Sequence, residues 1–142
     1  MSFLSLLTFL MPGFDYRFHW SAVPAWLVIT ANTMVLIGYI FIFLVFKENS
    51  YASTVIQVEK EQQVISTGPY AVVRHPMYSG LLLIMLFTPW ALGSYWALFF
   101  AALFIPVILW RIKREEQVLS IQLPGYKNYL AKTRYRLIPF IW

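Results

Sequence analysis

The sequence predicts an all-α membrane protein of about three transmembrane helices, a single span followed by a helical hairpin. Three observations carry that prediction. The 142 residues are 60% hydrophobic and 12% charged, with a mean hydropathy of +0.65, whereas a water-soluble domain carries about 25% charge. Two runs, residues 22–46 and 77–110, contain no charged side chain, and about 20 apolar residues suffice for a helix to cross a bilayer. The cations are sorted as well: ten of the eleven Lys and Arg lie in 47–76 or 111–142, and only Arg17 lies elsewhere. If the first run crosses once and the second crosses and returns, both basic segments share one face, which the positive-inside rule makes cytoplasmic.

The elements follow in order. Residues 1–11, MSFLSLLTFLM, are apolar but too short to span, and they lack the basic start and small-residue cleavage site of a signal peptide. They read as the tail end of a helix or a short interfacial segment. Residues 13–21 read as a loop, opened by Pro12-Gly13. The run 22–46 is a single span whose Thr30, Asn32 and Thr33 are placed to bond a neighbouring helix. The segment 47–76 is a polar cytoplasmic loop in which 54–58 and 63–65 have the β-branched or alternating pattern of short extended pieces. The run 77–110 is too long for one unbroken helix and is punctuated by Pro89, Gly93-Ser94 and Pro106, so it reads as a hairpin turning near 92–95 with a short first arm. A charged helical continuation begins at Arg111, is interrupted at Pro124-Gly125, and ends in a basic, tyrosine-rich tail. The whole is one domain.

Composition also narrows the chemistry. There is no cysteine, which excludes disulfides, thiolate nucleophiles and cysteine-ligated metals. His19 and His75 are distant in sequence and lack a carboxylate set around them, so no metal site is expected. The net charge of +5 comes with no nucleic-acid motif. No Gly-x-Ser-x-Gly, phosphate loop or dinucleotide fingerprint is present.

What remains is concentrated in residues 66–80, STGPYAVVRHPMYSG, where turn residues, a cation, an imidazole and two phenols meet beside an apolar run. Pro76 withdraws a donor and pushes His75 towards extended backbone. Arg74 and His75 at such a place read either as a headgroup anchor or as a functional site, since charge beside a membrane segment is costly. Glu115 and Glu116 belong to a set of only six carboxylates. On a helix, Arg111 and Glu115 share a face while Glu116 points elsewhere. Tyr126, Tyr129 and Tyr135 among Lys127, Lys132, Arg134 and Arg136 suit headgroup binding or closure over a ligand.

The ordered set Gly68-Pro-Tyr-(x)3-Arg74-His-Pro-x-Tyr78-x-Gly80, hydrophobic hairpin, Glu115-Glu-x-x-Leu119, Gly125-Tyr-x-x-Tyr129 and Ile138-Pro139 resembles the isoprenylcysteine carboxyl methyltransferase family. Phospholipid methyltransferases share its RHPxY-then-EE pattern, and the resemblance covers residues 49–142. It implies an integral, multi-pass enzyme of a bacterial-type inner membrane that uses S-adenosylmethionine at the cytoplasmic face. Carried over by position, the cofactor contacts would be Gln57, Gln62, Gln63, Val64, Ile65, Tyr70, His75, Pro76, Met77, Tyr78, Glu115 and Glu116. Arg111 would face the acceptor, with Arg74 and His75 as further catalytic candidates. Implied partners are a lipophilic small-molecule substrate and membrane lipids, with a homo-oligomer as an option.

The chain departs from the family's pattern in two ways. Members commonly carry more helices before the equivalent of 22–46, so a minimal member, or one lacking its first helices, is expected. The position of Gln62 is a histidine in some relatives. A nicotinamide-dependent reductase and a non-catalytic lipid-binding protein stand as alternative functions.

Overall fold

The computed structural model describes residues 2–49, 51 and 62–142. In chain order these form α1 (Ser2–Phe18), α2 (Ala25–Glu48), a 3-10 turn (Gly68–Ala71), α3 (Pro76–Ala91), α4 (Ala97–Ala102), α5 (Phe104–Gln122) and α6 (Tyr126–Lys132). Among the described residues there is no strand, only an isolated parallel bridge between Val73 and Tyr135. The all-α class therefore holds. Residues 63–65 form no regular structure, and 54–58 lie outside the described residues. Among these helices only α2 is long and apolar enough to cross a membrane, while α3 is apolar but shorter. Its 16 residues extend about 24 Å.

The chain divides into two compact units. One comprises Met1–Ile40 with Gly80–Ile108, the other Phe41–Ser79 with Leu109–Trp142.

In the first unit α1 packs against α4. The helix runs through Pro12-Gly13 to Phe18, where the sequence predicts a loop. Proline removes one helical donor, and that loss does not stop a helix whose end is fixed by other groups. His19 takes a left-handed φ of 54°, and the Trp20 N–H donates to the Asp15 carbonyl at 3.2 Å, a Schellman-type closure. The Asp15 side chain, 1% exposed, then accepts from the Ser21 N–H at 2.7 Å and the Ser21 hydroxyl at 2.6 Å. The Ser94 hydroxyl donates to it as well. Trp20 meets Trp96 edge-on at 6.2 Å.

Helix α2 begins after Pro24, whose carbonyl accepts from Leu27 and Val28. Ala31, Gly38 and Val45 are its buried positions, one residue every two turns, so a single narrow seam is covered. Ile29, Leu36, Tyr39, Ile40 and Phe43 stay exposed, as a lipid-facing surface requires. Gly38 is needed where it stands. A Cβ there would lie 2.6 Å from Ile84 Cγ1 and 3.4 Å from the Gly80 carbonyl oxygen.

Of the three polar residues expected to bond a neighbour, Asn32 does so, its amide donating to the Ala91 carbonyl at 3.3 Å. Thr30 and Thr33 instead donate to carbonyls of their own helix, Trp26 and Ile29. The turn between α3 and α4 falls at Leu92–Trp96, with Gly93 at φ 75°. The second arm breaks at Leu103, because Pro106 has no N–H to offer the Ala102 carbonyl.

Candidate functional site

The second unit holds a polar cleft. Its atom-free space, open mouth included, is ≈ 780 Å³. One wall comes from the polar loop, with Gln62, Gln63, Val64, Ile65 and Tyr70. Another comes from the Arg-His-Pro turn and the start of α3, with Arg74, His75, Met77 and Tyr78. Helix α5 contributes Glu115 and Leu119, and Tyr126 and Tyr129 come from α6.

Local sequence explains each wall. Pro76 opens α3, a position where its missing N–H costs nothing. That leaves the Arg74 and His75 N–H groups free to bond outward, and they donate to the carbonyls of Tyr135 at 2.8 Å and Arg136 at 2.9 Å. The C-terminal segment is thereby strapped to the motif. Ser79 adds a third tie, its hydroxyl donating to the Leu137 carbonyl at 2.6 Å. At the other end, Gly125 adopts φ 83° and lets the chain reverse from α5 into α6. This places Tyr126 and Tyr129 against Leu123, with Val64, Tyr70, Leu119 and Leu130 around them. Tyr129 donates to the Tyr70 carbonyl at 2.7 Å, and Asn49 donates to the Tyr70 hydroxyl at 2.9 Å.

The two adjacent carboxylates do different jobs. Glu116 is clamped: Arg74 Nη1 lies 2.9 Å and His75 Nε2 3.3 Å from its Oε1, while Arg136 Nε lies 3.0 Å from Oε2. Burial raises its pKa, but His75, Arg74 and Arg136 outweigh that, and the net shift is downward. Glu115 is half-buried and lines the cleft. Its Oε2 accepts from the Tyr78 hydroxyl at 2.7 Å, and the same hydroxyl accepts from Arg111 Nε at 2.7 Å. The Tyr78 phenol therefore stands between Arg111 and Glu115, the pair that helix spacing puts on one face. The Arg111 guanidinium also lies 6.0 Å from the Tyr78 ring centre, within cation–π range. His75, 5% exposed, has its other nitrogen 4.0 Å from Glu115 Oε1. Burial raises the pKa of Tyr70, Tyr126 and Tyr129, so these phenols stay neutral at physiological pH.

Of the residues singled out from sequence, nine that were assigned to cofactor contacts line the cleft: Gln62, Gln63, Val64, Ile65, Tyr70, His75, Met77, Tyr78 and Glu115. Arg74, a catalytic candidate, lines it too. Glu116 and Pro76 do not, and Arg111 stands one hydrogen bond behind it. Gln57 lies outside the described residues. Sequence reasoning did not place Asn49, Tyr51, Leu119 and Leu123 on the cleft, nor Arg136 on Glu116. The one signal available for this wall was the three-residue spacing of Tyr126 and Tyr129, which puts both on one helical face.

A helical protein with one long apolar helix and a polar cleft lined by a carboxylate, amides and phenols is the class that the fold and the site define. A family model described as phospholipid methyltransferase matches residues 26–123, about two thirds of the chain, and the protein belongs to that family. The match reaches back into α2, beyond the motifs that carried the resemblance, and ends before the Gly125 turn. No curated protein sequence matches the chain.

Proposed function

We propose that the chain is an S-adenosylmethionine-dependent methyltransferase whose cleft faces the cytoplasm and whose acceptor is a lipophilic molecule bearing an anionic group. The observation that carries this reading is Glu115: a carboxylate in a polar cleft, held in orientation by Tyr78 and surrounded by phenols and amides. The donor set fits the cofactor's chemistry. Glu115 complements an ammonium or sulfonium, and the amides of Gln62 and Gln63 can donate to a carboxylate. Tyr70, Tyr129, Leu119 and Leu123 offer a flat, largely apolar wall for a purine. Tyr126 points the same way, since its hydroxyl is buried without a hydrogen-bond partner among the described residues.

The cofactor, held by Glu115 and the Gln62 and Gln63 amides, would supply an electrophilic methyl group and would be left as a thioether once the acceptor's lone pair had taken it. This chain's residues bind and align, and alignment contributes most to such a step. Arg111, fixed through Tyr78, presents a cation that pairs with an acceptor carboxylate. A carboxylate is already ionised at neutral pH and needs no base. His75 has its two nitrogens directed at Glu116 and Glu115, which supports an acceptor that has no proton to lose. The family's description favours a second acceptor, the amine of a phospholipid headgroup, for which Arg111 would hold the phosphate and Glu115 would take the proton. Sidedness rests on the cations, ten of eleven of which belong to the second unit.

The test is calorimetric binding of S-adenosylhomocysteine to detergent-purified protein, with Glu115→Ala alongside. Binding by the wild type and none by the variant is expected. A well-folded wild type that binds nothing overturns the reading. Methyl transfer to an S-prenylated cysteine, set against phosphatidylethanolamine, then decides the acceptor.

A further inference from the structure

Outside its α2 and α5 entry turns, the second unit exposes Lys113, Arg114, Gln117, Gln122, Lys127, Asn128, Lys132 and Arg134, with Val72 and Ile121 as apolar exceptions. The clearest apolar cluster is at Ile138, Phe140 and Ile141, which are 49%, 87% and 76% exposed. This is a built turn. The Trp142 carbonyl oxygen accepts from the N–H groups of Arg136, Leu137 and Ile138 at 2.9, 3.0 and 3.2 Å. The Ile138 carbonyl accepts from Ile141 and Trp142. Phe140 sits at φ 66°, a left-handed conformation that is uncommon for a bulky residue and that the surrounding bonds impose. The Arg136 guanidinium lies 4.9 Å from the centre of the Trp142 ring, and Leu137 is buried beneath. The base is therefore anchored while three apolar side chains project outward.

We infer that the turn at residues 138–142 is an interfacial anchor, with Ile138, Phe140 and Ile141 inserted among the acyl chains of a membrane containing anionic lipid. Three features select that occupant. The chain belongs to a membrane family and carries a helix able to span. Lys132 and Arg134, which lead into the turn, are exposed cations, and an anionic bilayer surface attracts basic residues beside it. An apolar tip with a basic collar has the composition of a segment that lies in the interface. The consequence reaches the cleft, because the segment leading to the tip is the one bonded to the motif. Tyr135 and Arg136 carbonyls hold the Arg74 and His75 N–H groups, and Arg136 holds Glu116. A tip fixed in the bilayer holds the Arg-His-Pro turn at the surface from which a lipophilic acceptor arrives.

The absence of cysteine makes the test direct. The full chain carrying Phe140→Cys, or Ile141→Cys should the first substitution disturb the turn, is labelled with a nitroxide. It is reconstituted in vesicles of phosphatidylcholine and phosphatidylglycerol, with Asn128→Cys as the polar reference. Collision with dissolved oxygen and with a water-soluble nickel chelate gives depth. The expected result is a several-fold higher oxygen-to-nickel ratio at 140 than at 128, at a depth of about 5–10 Å below the headgroups. That ratio should fall in vesicles of phosphatidylcholine alone. Equal ratios at the two positions would put the tip in water and overturn the inference. Exclusion of both reagents at 140 would mean that protein, such as a second copy, covers it, and would overturn it equally. The readout uses neither cofactor nor acceptor, so a buried tip on a chain that binds no S-adenosylhomocysteine would sink the methyltransferase reading and leave this one standing.

Discussion

The two units satisfy their polar groups in opposite ways. In the first, Thr8, Thr30, Thr33 and Thr88 each donate to the carbonyl four residues earlier on their own helix, and packing relies on a glycine under Ile84. In the second, side chains distant in sequence bond one another: Arg136 with Glu116, Tyr78 with Glu115, Asn49 with Tyr70. The difference follows from the surroundings. A segment that faces hydrocarbon must satisfy its polar groups within the protein. In the second unit charges converge, and each depends on its partners. Asn32 and Asp15 are exceptions in the first unit, the one bonded to the Ala91 carbonyl and the other a carboxylate bonded by hydroxyls rather than cations.

This contrast is broken most forcefully at Glu116. Glu116→Ala leaves Arg74 and Arg136 without their shared partner and should cost about 3–5 kcal/mol, read as a lowered unfolding midpoint in detergent. The pH dependence is a second readout. Because the folded pKa of Glu116 is depressed, its stabilisation is fully present above the ordinary glutamate pKa of about 4.3 and is lost as pH falls through the folded value. Wild type should therefore lose stability on acidification more steeply than Glu116→Gln. Equal slopes would show that the clamp adds nothing.

The first unit should break next most easily at Asp15. Asp15→Ala removes the acceptor of the Ser21 and Ser94 donors, and hydrogen bonds to a charged group are worth about 1.5–3 kcal/mol. The expected signature is fraying after Phe18, seen as faster amide exchange at Trp20 and Ser21, with S-adenosylhomocysteine binding unchanged. Loss of binding instead would show that the units do not behave separately.

A somewhat smaller effect is expected at the glycine seam. Gly38→Ala sets a methyl 2.6 Å from Ile84 Cγ1, and Ile84 is a buried side chain with little room to yield. Overpacking of this kind costs about 1–3 kcal/mol, and adding Ile84→Ala should recover part of it. If Gly38→Ala alone is neutral, α2 and α3 are not in tight contact in the membrane.

The sequence showed what depends on short-range pattern and hid what depends on long-range pairing. The 92–95 turn was readable because Gly93-Ser94 interrupts an uncharged run, and the grouping of the Arg74-His75-Pro76 turn with Glu115 followed from a motif. Pro12-Gly13 is a strong local turn signal and predicts a break where α1 in fact continues to Phe18. The groups that override it, Ser21 and above all Ser94, are remote from Pro12 in the chain. The same limit hid Asn49 and Arg136. Nothing near either residue reveals that one will meet Tyr70 and the other Glu116. The Glu pair was split correctly by helical geometry, yet only the folded chain shows that Tyr78 stands between Arg111 and Glu115.

The smallest expected effect comes from a single hydroxyl, and it sharpens the comparison most. Tyr129→Phe removes the donor to the Tyr70 carbonyl without changing ring volume or the packing against Leu123. A neutral hydrogen bond contributes about 0.5–1.5 kcal/mol, so stability should drop by that much and no more. In the first unit a Thr33→Val change, deleting a local bond to the Ile29 carbonyl, should cost less still. That carbonyl keeps its place in the helix ladder, whereas the Tyr70 carbonyl, in the 3-10 turn, accepts from Tyr129 of a distant element. Paired unfolding measurements should therefore rank Tyr129→Phe above Thr33→Val. The reverse order would mean that the polar unit is tied together mainly by its ion pairs, and that its phenols serve the ligand rather than the fold.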